Sequence, residues 1–162
     1  SCVEYDDVSK KLVYSLKYNK KRYIAYHMAE IMADKFKEID IEDIDLIVPV
    51  PLRKAKERER TFNQAHLIAK YLGRMLDKYV DNKSLVRIKN TKTQNKLTKD
   101  ERKYNLKNAF KASEGDNIRN KNILLIDDVF TTGSTADECS KVLLGSGASK
   151  VYVLTFATGR NT

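Results

Sequence analysis

The stretch 123–135 carries the residues of this chain that are best suited to bind a charged ligand. Four apolar residues run into two adjacent carboxylates, Asp127 and Asp128, and a loop of small hydroxyl residues follows two positions later. Small residues let backbone N–H groups turn towards an anion, and the N-terminus of a following helix adds partial positive charge. The segment therefore predicts a ribose or cation site on the two aspartates, beside a phosphate site formed by Thr131, Thr132, Gly133, Ser134 and Thr135.

A purely structural interpretation also explains part of this pattern. Thr135 and Glu138 have the spacing of a capping box, in which side chains satisfy the first free N–H groups of a helix. A buried strand that ends in a solvated acidic turn before a capped helix would have a similar sequence. Both interpretations predict a helix after the loop, with one apolar face made of Ala136, Cys139, Val142 and Leu143.

A second strand–helix unit lies earlier in the chain. Residues 44–51 are mostly apolar and end in two prolines, and a strand there should end near the first of them because proline has no N–H group for a sheet ladder. A basic run, 53–60, follows and is predicted to be a loop. The spacing of Thr61 and Gln64 then predicts a capped amphipathic helix over 62–79.

The order of these elements predicts an α/β fold with a mostly parallel sheet covered by helices. Ligands bind such sheets at the carboxyl ends of the strands. We therefore expect the basic loop, 49–60, and the acidic loop, 127–135, to face one cleft. The remaining predicted elements are a helical stretch over 8–37, strands over 85–88 and 151–157, and a long polar segment over 89–108.

Length and composition limit the class of protein. A chain of 162 residues with two prolines and six glycines is predicted to form a single folded domain over 1–162. No stretch approaches the roughly 18 apolar residues of a membrane span, and no signal peptide is evident. The two cysteines lack metal-ligand spacing and fit a reducing cytoplasm. The net charge of +9 favours an anionic partner, although a solvated surface rich in lysine would give the same excess.

A basic and aromatic patch lies between the two apolar stripes of the helical stretch 8–37. Cations interleaved with aromatic rings can bind phosphates and stack bases, as in proteins that bind single-stranded nucleic acid. The alternative is a polar joint between two helices. The residues that could contact nucleic acid are Lys17, Tyr18, Lys20, Lys21 and Arg22, together with Arg58 and Arg60 of the basic run.

All thirteen positions of 123–135 resemble the phosphoribosyl pyrophosphate motif of type I phosphoribosyltransferases. The resemblance implies the three-layer fold of that superfamily, with a small helical hood at 1–40 and a core at 41–162. It also implies that Asp127 and Asp128 hold the ribose hydroxyls and that the loop N–H groups hold the 5′-phosphate. Mg²⁺ would arrive with the ligand, with Asp127 and Asp128 as possible further contacts.

Two more blocks, within 48–65 and 93–110, resemble the ComF competence family of the same superfamily. By this resemblance, 51–56 is the pyrophosphate loop, with Arg53 and Lys54 nearest the diphosphate. Residues 89–103 would be the flexible loop over the reacting ribose, and its candidate catalytic side chains are those of Lys92 and Lys96. An unusual peptide geometry in related pyrophosphate loops makes the bonds before Pro49 and Pro51 candidates for the cis form.

The ComF resemblance implies transfer of a phosphoribosyl group to an unknown acceptor and a role in natural competence and DNA uptake. The alternative is a non-catalytic module that binds single-stranded DNA or senses a nucleotide. Implied partners are single-stranded DNA and a ComFA-type helicase, at a cytoplasmic location that could include the inner face of the membrane. Many relatives begin with a cysteine-rich zinc module, but only Cys2 precedes Cys139 here, so no zinc site is predicted.

Overall fold

The computed structural model describes residues 2–4, 6–18, 21–41, 43–89, 106–113 and 117–159. The helices of this described part are α1 (Asp7–Tyr18), α2 (Ile24–Lys37), α3 (Lys54–Arg60), α4 (Gln64–Leu76) and α5 (Ser134–Gly145). Its strands are β1 (Val3–Glu4), β2 (Leu46–Pro49), β3 (Tyr79–Val80), β4 (Leu85–Arg87), β5 (Phe110–Ala112), β6 (Asn122–Phe130) and β7 (Lys150–Thr158).

Five strands form a parallel sheet in the order β1-β7-β6-β2-β3, and β4 pairs with β5 as a separate antiparallel ribbon. The central strands β2 and β6 are in register at Val48 and Leu125. The predicted α/β class with a mostly parallel sheet is confirmed. Because parallel strands bury both faces, β2 is buried along its whole length.

Alternate residues of the central strands enter two cores, one on each face of the sheet. Ile47 and Leu124 pack with apolar side chains of α1, α2 and α4. Leu46 and Leu125 face the other way and pack with Cys139 of α5 and with the region around β4 and β5. Helices therefore cover the sheet on both sides, which fixes the carboxyl ends of its strands in place. None of the described helices has the length and apolar character needed to cross a membrane.

Local structure differs from the sequence prediction in the second strand–helix unit. The basic run is not a loop, because Lys54–Arg60 forms α3. The predicted capping box is also wrong: Thr61 ends α3 with a φ of 68°, and α4 begins after Asn63. The side-chain oxygen of Asn63 accepts hydrogen bonds from the N–H groups of Ala65 and His66. Asparagine is among the best residues for this role, which explains where the helix begins.

The strand–helix unit formed by β6 and α5 also differs from the sequence prediction. Strand β6 does not stop at the acidic pair but runs to Phe130, paired with β7. The predicted capping box of α5 is wrong as well, because Gly133 precedes the helix and makes no side-chain cap. The carboxylate of Glu138 instead accepts a hydrogen bond from the backbone N–H group of Asn108.

Smaller predictions have mixed outcomes. The helical stretch 8–37 is divided into α1 and α2, as expected if the basic patch is a joint. The bonds before Pro49 and Pro51 are both trans, since no described peptide bond is cis. Lys92 and Lys96, with the rest of 90–103, lie outside the described residues.

Candidate functional site

The carboxyl ends of β2 and β6 open into one cleft of about 1020 Å³. Residues after β2 form one side of it, the acidic pair lies at its floor, and α1 contributes another wall. The prediction that the basic and acidic segments share a cleft is confirmed. The candidate residues that line it are Lys17, Tyr18, Arg53, Arg60, Asp127, Asp128, Thr131 and Thr135.

The acidic pair is held rigidly because both residues belong to β6. The backbone N–H group of Asp128 donates to Oδ1 of Asp127 at 2.9 Å. Only 4% of Asp128 is exposed, so this carboxylate needs a partner that compensates for its burial. A pair fixed in a central strand can present oxygen acceptors to a ligand without first being ordered.

Lys17 supplies that partner from the N-terminal helix. Its Nζ atom lies 2.6 Å from Oδ2 of Asp128, and the side chains are 21% and 6% exposed. The amide of Gln64, which is also buried, donates to the same oxygen at 3.5 Å. Sequence reasoning placed Lys17 on a nucleic-acid patch and missed both contacts. The local pattern around Lys17 carries no signal of an ion pair with a residue so distant in sequence.

The two carboxyl groups have opposite pKa shifts. Burial, and then the negative charge of Asp128, raises the pKa of Asp127 to about 8. Burial would also raise the pKa of Asp128, but the charge and hydrogen bond of Lys17, together with the hydrogen bond to Asp127 and the charge of Arg60, hold that pKa below its ordinary value. Lys17 therefore stabilises the ionised form of Asp128, and the resulting negative charge disfavours ionisation of Asp127.

The hydroxyl loop connects the acidic strand to α5. Thr131 and Thr135 reach the cleft, while the hydroxyls of Thr132 and Ser134 lie 2.9 Å apart and hydrogen bond to each other. Gly133 has a φ of 78°, a value that side-chain-bearing residues rarely adopt. The loop thus brings together hydroxyls, a tight glycine turn and the start of a twelve-residue helix, all of which suit an anion.

Arginines of the second unit face the acidic pair across the cleft. Arg53 precedes α3, and Arg60 ends it with its Nη1 atom donating to Gln64 at 3.1 Å. The Arg60 guanidinium also lies over the ring of Tyr18, 5.2 Å from its centre. Lys54 and Arg58 are exposed residues of α3 and do not line the cleft. Of the predicted diphosphate contacts, Arg53 is therefore the one that the fold places in the site.

The other members of the basic and aromatic patch are spread out. Arg22 lies over the ring of Phe62, 5.0 Å from its centre, and donates to the hydroxyl of Thr61 at 3.2 Å. Lys21 is exposed, and Lys20 lies outside the described residues. The patch therefore divides into a part at the cleft, Lys17 and Tyr18, and a part that joins α2 to the start of α4.

Sequence reasoning also missed Arg87. This residue ends β4, lines the cleft, and has its guanidinium 5.2 Å from the centre of the Phe110 ring. Burial lowers the pKa of Arg87, and the neighbouring charge of Arg53 lowers it further. An arginine in a three-residue strand has no local signature, so only the fold reveals that Arg87 joins Arg53 and Arg60 at the cleft.

The described residues do not fit a magnesium ion bound directly by the acidic pair. Mg²⁺ takes six oxygen ligands in octahedral geometry, usually one or two carboxylates together with waters and substrate phosphates. The described part of the chain has no group of three or more histidine, cysteine or acidic side chains that could hold a metal ion. Lys17 already contacts the more strongly ionised carboxylate, Asp128. The contact with Lys17 therefore favours a divalent ion held by oxygens of the ligand and by water.

Comparisons with known proteins give related sequences across most of the chain. Competence protein F of Haemophilus influenzae is 40% identical over 110 residues, which are 67% of this chain and 48% of that protein. DNA utilization protein YhgH of Salmonella typhimurium is 32% identical over 157 residues, 94% of this chain and 68% of that protein. Competence protein ComFC of Bacillus subtilis is 32% identical over 147 residues, 91% and 58% of the two chains. The chain thus spans about half to two thirds of these relatives. No protein-family model matches it.

Solved structures with a similar backbone are phosphoribosyltransferase-fold proteins. A glutamine phosphoribosylpyrophosphate amidotransferase from B. subtilis has a TM-score of 0.53 and 15% identity, over 80% of this chain and 25% of that chain. An allosteric regulatory enzyme of purine biosynthesis has a TM-score of 0.54 and 16% identity, over 82% and 26% of the two chains. At this identity the likeness establishes the fold, which is the predicted type I phosphoribosyltransferase fold.

Proposed function

This chain belongs to the competence protein F (ComF) family, and we propose that its cleft binds phosphoribosyl pyrophosphate and transfers the phosphoribosyl group to an acceptor nucleophile. Its relatives are named for competence and for DNA utilization, and we propose that the chain serves the same processes. Because it spans only part of those relatives, the proposal concerns the domain described above.

One observation carries the proposal: an acidic pair and a hydroxyl loop share a cleft with fixed arginines. Each part suits one part of the ligand. The loop 131–135 would hold the 5′-phosphate, Asp127 and Asp128 would accept the ribose hydroxyls, and Arg53 with Arg87 would face the diphosphate. A ligand with phosphates at both ends and a diol between them matches this order of charges.

The chemistry would follow from the position of the arginines. A nucleophile forms a bond to the anomeric carbon while the bond to the diphosphate oxygen breaks, and the diphosphate leaves with the electron pair. Negative charge grows on the leaving group in the transition state, so fixed guanidinium groups stabilise that state more than the bound ligand. Mg²⁺ would enter with phosphoribosyl pyrophosphate as part of the substrate complex and neutralise part of the diphosphate charge. None of the described side chains needs to act as a covalent nucleophile.

Release of diphosphate would test the proposal. The protein, phosphoribosyl pyrophosphate and Mg²⁺ would be incubated with nucleobases, amines or DNA ends, and diphosphate would be measured over time. We expect one acceptor class to accelerate release, and an Asp127→Asn, Asp128→Asn double variant to lose that acceleration. Tight binding with release no faster than in the double variant would contradict transfer and leave a ligand-binding module.

A second candidate function, binding of single-stranded DNA, has one observation in its favour. Tyr14 and Tyr18 of α1 are 59% and 45% exposed, and their ring centres lie 4.7 Å apart beside the cleft. Lys10 and Lys11 lie on the same helix at the cleft. Paired rings flanked by cations are typical of single-strand platforms, where stacking contributes about 1–3 kcal/mol per base.

Fluorescence anisotropy with a labelled oligonucleotide would test this second function. We expect affinity to fall steeply as salt rises, because released counterions drive such binding. A Tyr14→Ala, Tyr18→Ala double variant should bind more weakly, whereas Tyr79→Ala, an exposed ring on β3, should bind normally. Absent or salt-insensitive binding would contradict it.

A further inference from the structure

The cation that faces the acidic pair belongs to the protein itself. Lys17 and Asp128 form an ion pair of 2.6 Å between α1 and the central strand β6. Burial would lower the pKa of Lys17, but the charge and hydrogen bond of Asp128, together with the charge of Asp127, raise it. The ammonium is therefore charged at neutral pH and occupies one side of the carboxylate.

The ammonium is held in place by the packing of its helix. Val13 and Leu16, which flank this part of α1, are 2% and 0% exposed and belong to the main apolar core. The next residue, Tyr18, lies against the Arg60 guanidinium. Moving Lys17 away from Asp128 would leave a buried carboxylate without its partner, which is unfavourable. The packing of α1 thus holds the contact between Lys17 and Asp128 in place.

Two further cations among the described residues interact electrostatically with the pair. Arg60 of α3 lowers the pKa of Asp128 by its charge, and Arg87 of β4 is influenced by the charge of Asp127. With Lys17, three cations from three elements surround two carboxyl groups. A divalent ion would meet repulsion from each of them, and near a protein surface two unit charges about 4 Å apart already interact strongly.

We propose that Lys17 is the resident cation of the acidic pair: its ammonium occupies the position on Asp128 that a divalent metal ion would take, so that the pair accepts ligand hydroxyls without a metal ion. The first part of this inference concerns the ligand-free protein alone. The second part rests on the proposed function, because it assigns the hydroxyls to a ribose.

Manganese binding tests the first part without any ligand. Mn²⁺ would be titrated into wild type and Lys17→Met, and the free ion measured by electron paramagnetic resonance. Methionine keeps a stem of similar shape and removes the charge. We expect Lys17→Met to gain a Mn²⁺ site that binds at least about tenfold more tightly than any Mn²⁺ binding detected in wild type. Adding Asp128→Asn to Lys17→Met should abolish the new site.

Two further variants keep this test decisive. Lys17→Arg retains the positive charge and should exclude Mn²⁺ as wild type does. Lys70→Met removes an exposed lysine of α4 outside the cleft and should leave Mn²⁺ binding unchanged. Wild type that binds Mn²⁺ through Asp128, or a folded Lys17→Met that gains no site, would overturn the proposal. If Lys17→Met does not fold, Lys17→Gln, which is also uncharged but keeps a polar end, is titrated in its place with the same expected gain of a site.

Ribose 5-phosphate tests the second part, because it has the ribose hydroxyls and the phosphate but lacks the diphosphate that would carry a metal ion. We expect wild type to bind it equally well in excess Mg²⁺ and in EDTA. Lys17→Met should lose at least about tenfold of the metal-free affinity. Binding by wild type that requires Mg²⁺ would overturn the metal-free pair. No binding at all would contradict the proposed ribose site, while the Mn²⁺ titration would still decide the role of Lys17.

Discussion

The two strand–helix units that meet at the cleft have the same architecture and opposite charge. Strand β6 contains two carboxyl groups near its end, and a glycine turn follows before α5. Strand β2 ends in Pro49, and Pro51, Arg53 and the short basic helix α3 follow before α4. Both units end at the same edge of the sheet because their strands are parallel neighbours. The fold thus sets the position of the site, and the residues after each strand set its chemistry.

The difference begins with how each strand ends. Strand β2 ends at Pro49, because proline has no N–H group for the sheet ladder, and α3 follows within a few residues. Strand β6 continues past the acidic pair to Phe130, paired with Thr158 of β7. The carboxyl groups are consequently fixed by a sheet, whereas the arginines are fixed by side-chain contacts. We expect the acidic unit to be the more sensitive of the two to substitution.

The largest effect should come from removing both acidic groups. An Asp127→Asn, Asp128→Asn double variant should lose at least about a hundredfold of its affinity for phosphoribosyl pyrophosphate, since hydrogen bonds to charged groups contribute about 1.5–3 kcal/mol each. Calorimetric titration would measure this loss, with circular dichroism to show that the variant is folded. Unchanged affinity in the folded variant would remove the acidic unit from the site.

A smaller loss should follow from removing one arginine of the basic unit. Arg53→Ala should weaken binding about tenfold or more, because one charged contact to the diphosphate is lost. Arg74→Ala, an exposed arginine in the last turn of α4, is the matched control and should bind normally. Equal affinities of these two variants in the same titration would show that Arg53 does not face the ligand.

A substitution in the glycine turn of the acidic unit should lower the stability of the protein. Gly133→Ala should lower the free energy of unfolding by about 1–2 kcal/mol, because Gly133 has a φ of 78° and an added Cβ would lie 2.9 Å from the Phe130 ring. Gly145→Ala is the matched control, since a Cβ there has no neighbour within 4 Å. Urea denaturation would compare them, and equal stability would contradict a strained turn.

The helix cap of the basic unit should have the smallest effect. Asn63→Ala should cost about 1 kcal/mol of stability, since the first N–H groups of α4 lose their acceptor. Asn63→Asp keeps the acceptor but loses the amide that donates to the Val50 carbonyl at 3.0 Å. Thermal unfolding should therefore rank Asn63→Asp between wild type and Asn63→Ala. A reversed order would show that a carboxylate facing the Val50 carbonyl destabilises the protein more than the cap stabilises it.

Much of the fold could be predicted because its signals are local. Apolar runs and turn residues identified the central strands, and the rule for carboxyl ends of parallel strands placed both loops in one cleft. The errors occurred where two local signals competed. Thr61 and Asn63 are both good capping residues, and only the conformation of the chain after α3 determines which of them begins α4.

The rest of the site could not be predicted because it depends on contacts between distant residues. Nothing near Lys17 indicates that its ammonium reaches Asp128, and nothing near Arg87 indicates that it reaches the cleft. Both residues are brought in by elements, α1 and β4, whose positions follow from packing over the whole domain. Motifs therefore identified the groups suited to a ligand, while the fold revealed the groups that set their charge.

Calorimetric titration of phosphoribosyl pyrophosphate, with and without Mg²⁺, tests most directly whether the two units form one site. We predict metal-dependent binding in the micromolar range, about −8 kcal/mol, because the ligand would contact the hydroxyl loop, the acidic pair and the arginines together. The absence of heat under both conditions would contradict the proposal that this cleft is a phosphoribosyl pyrophosphate site.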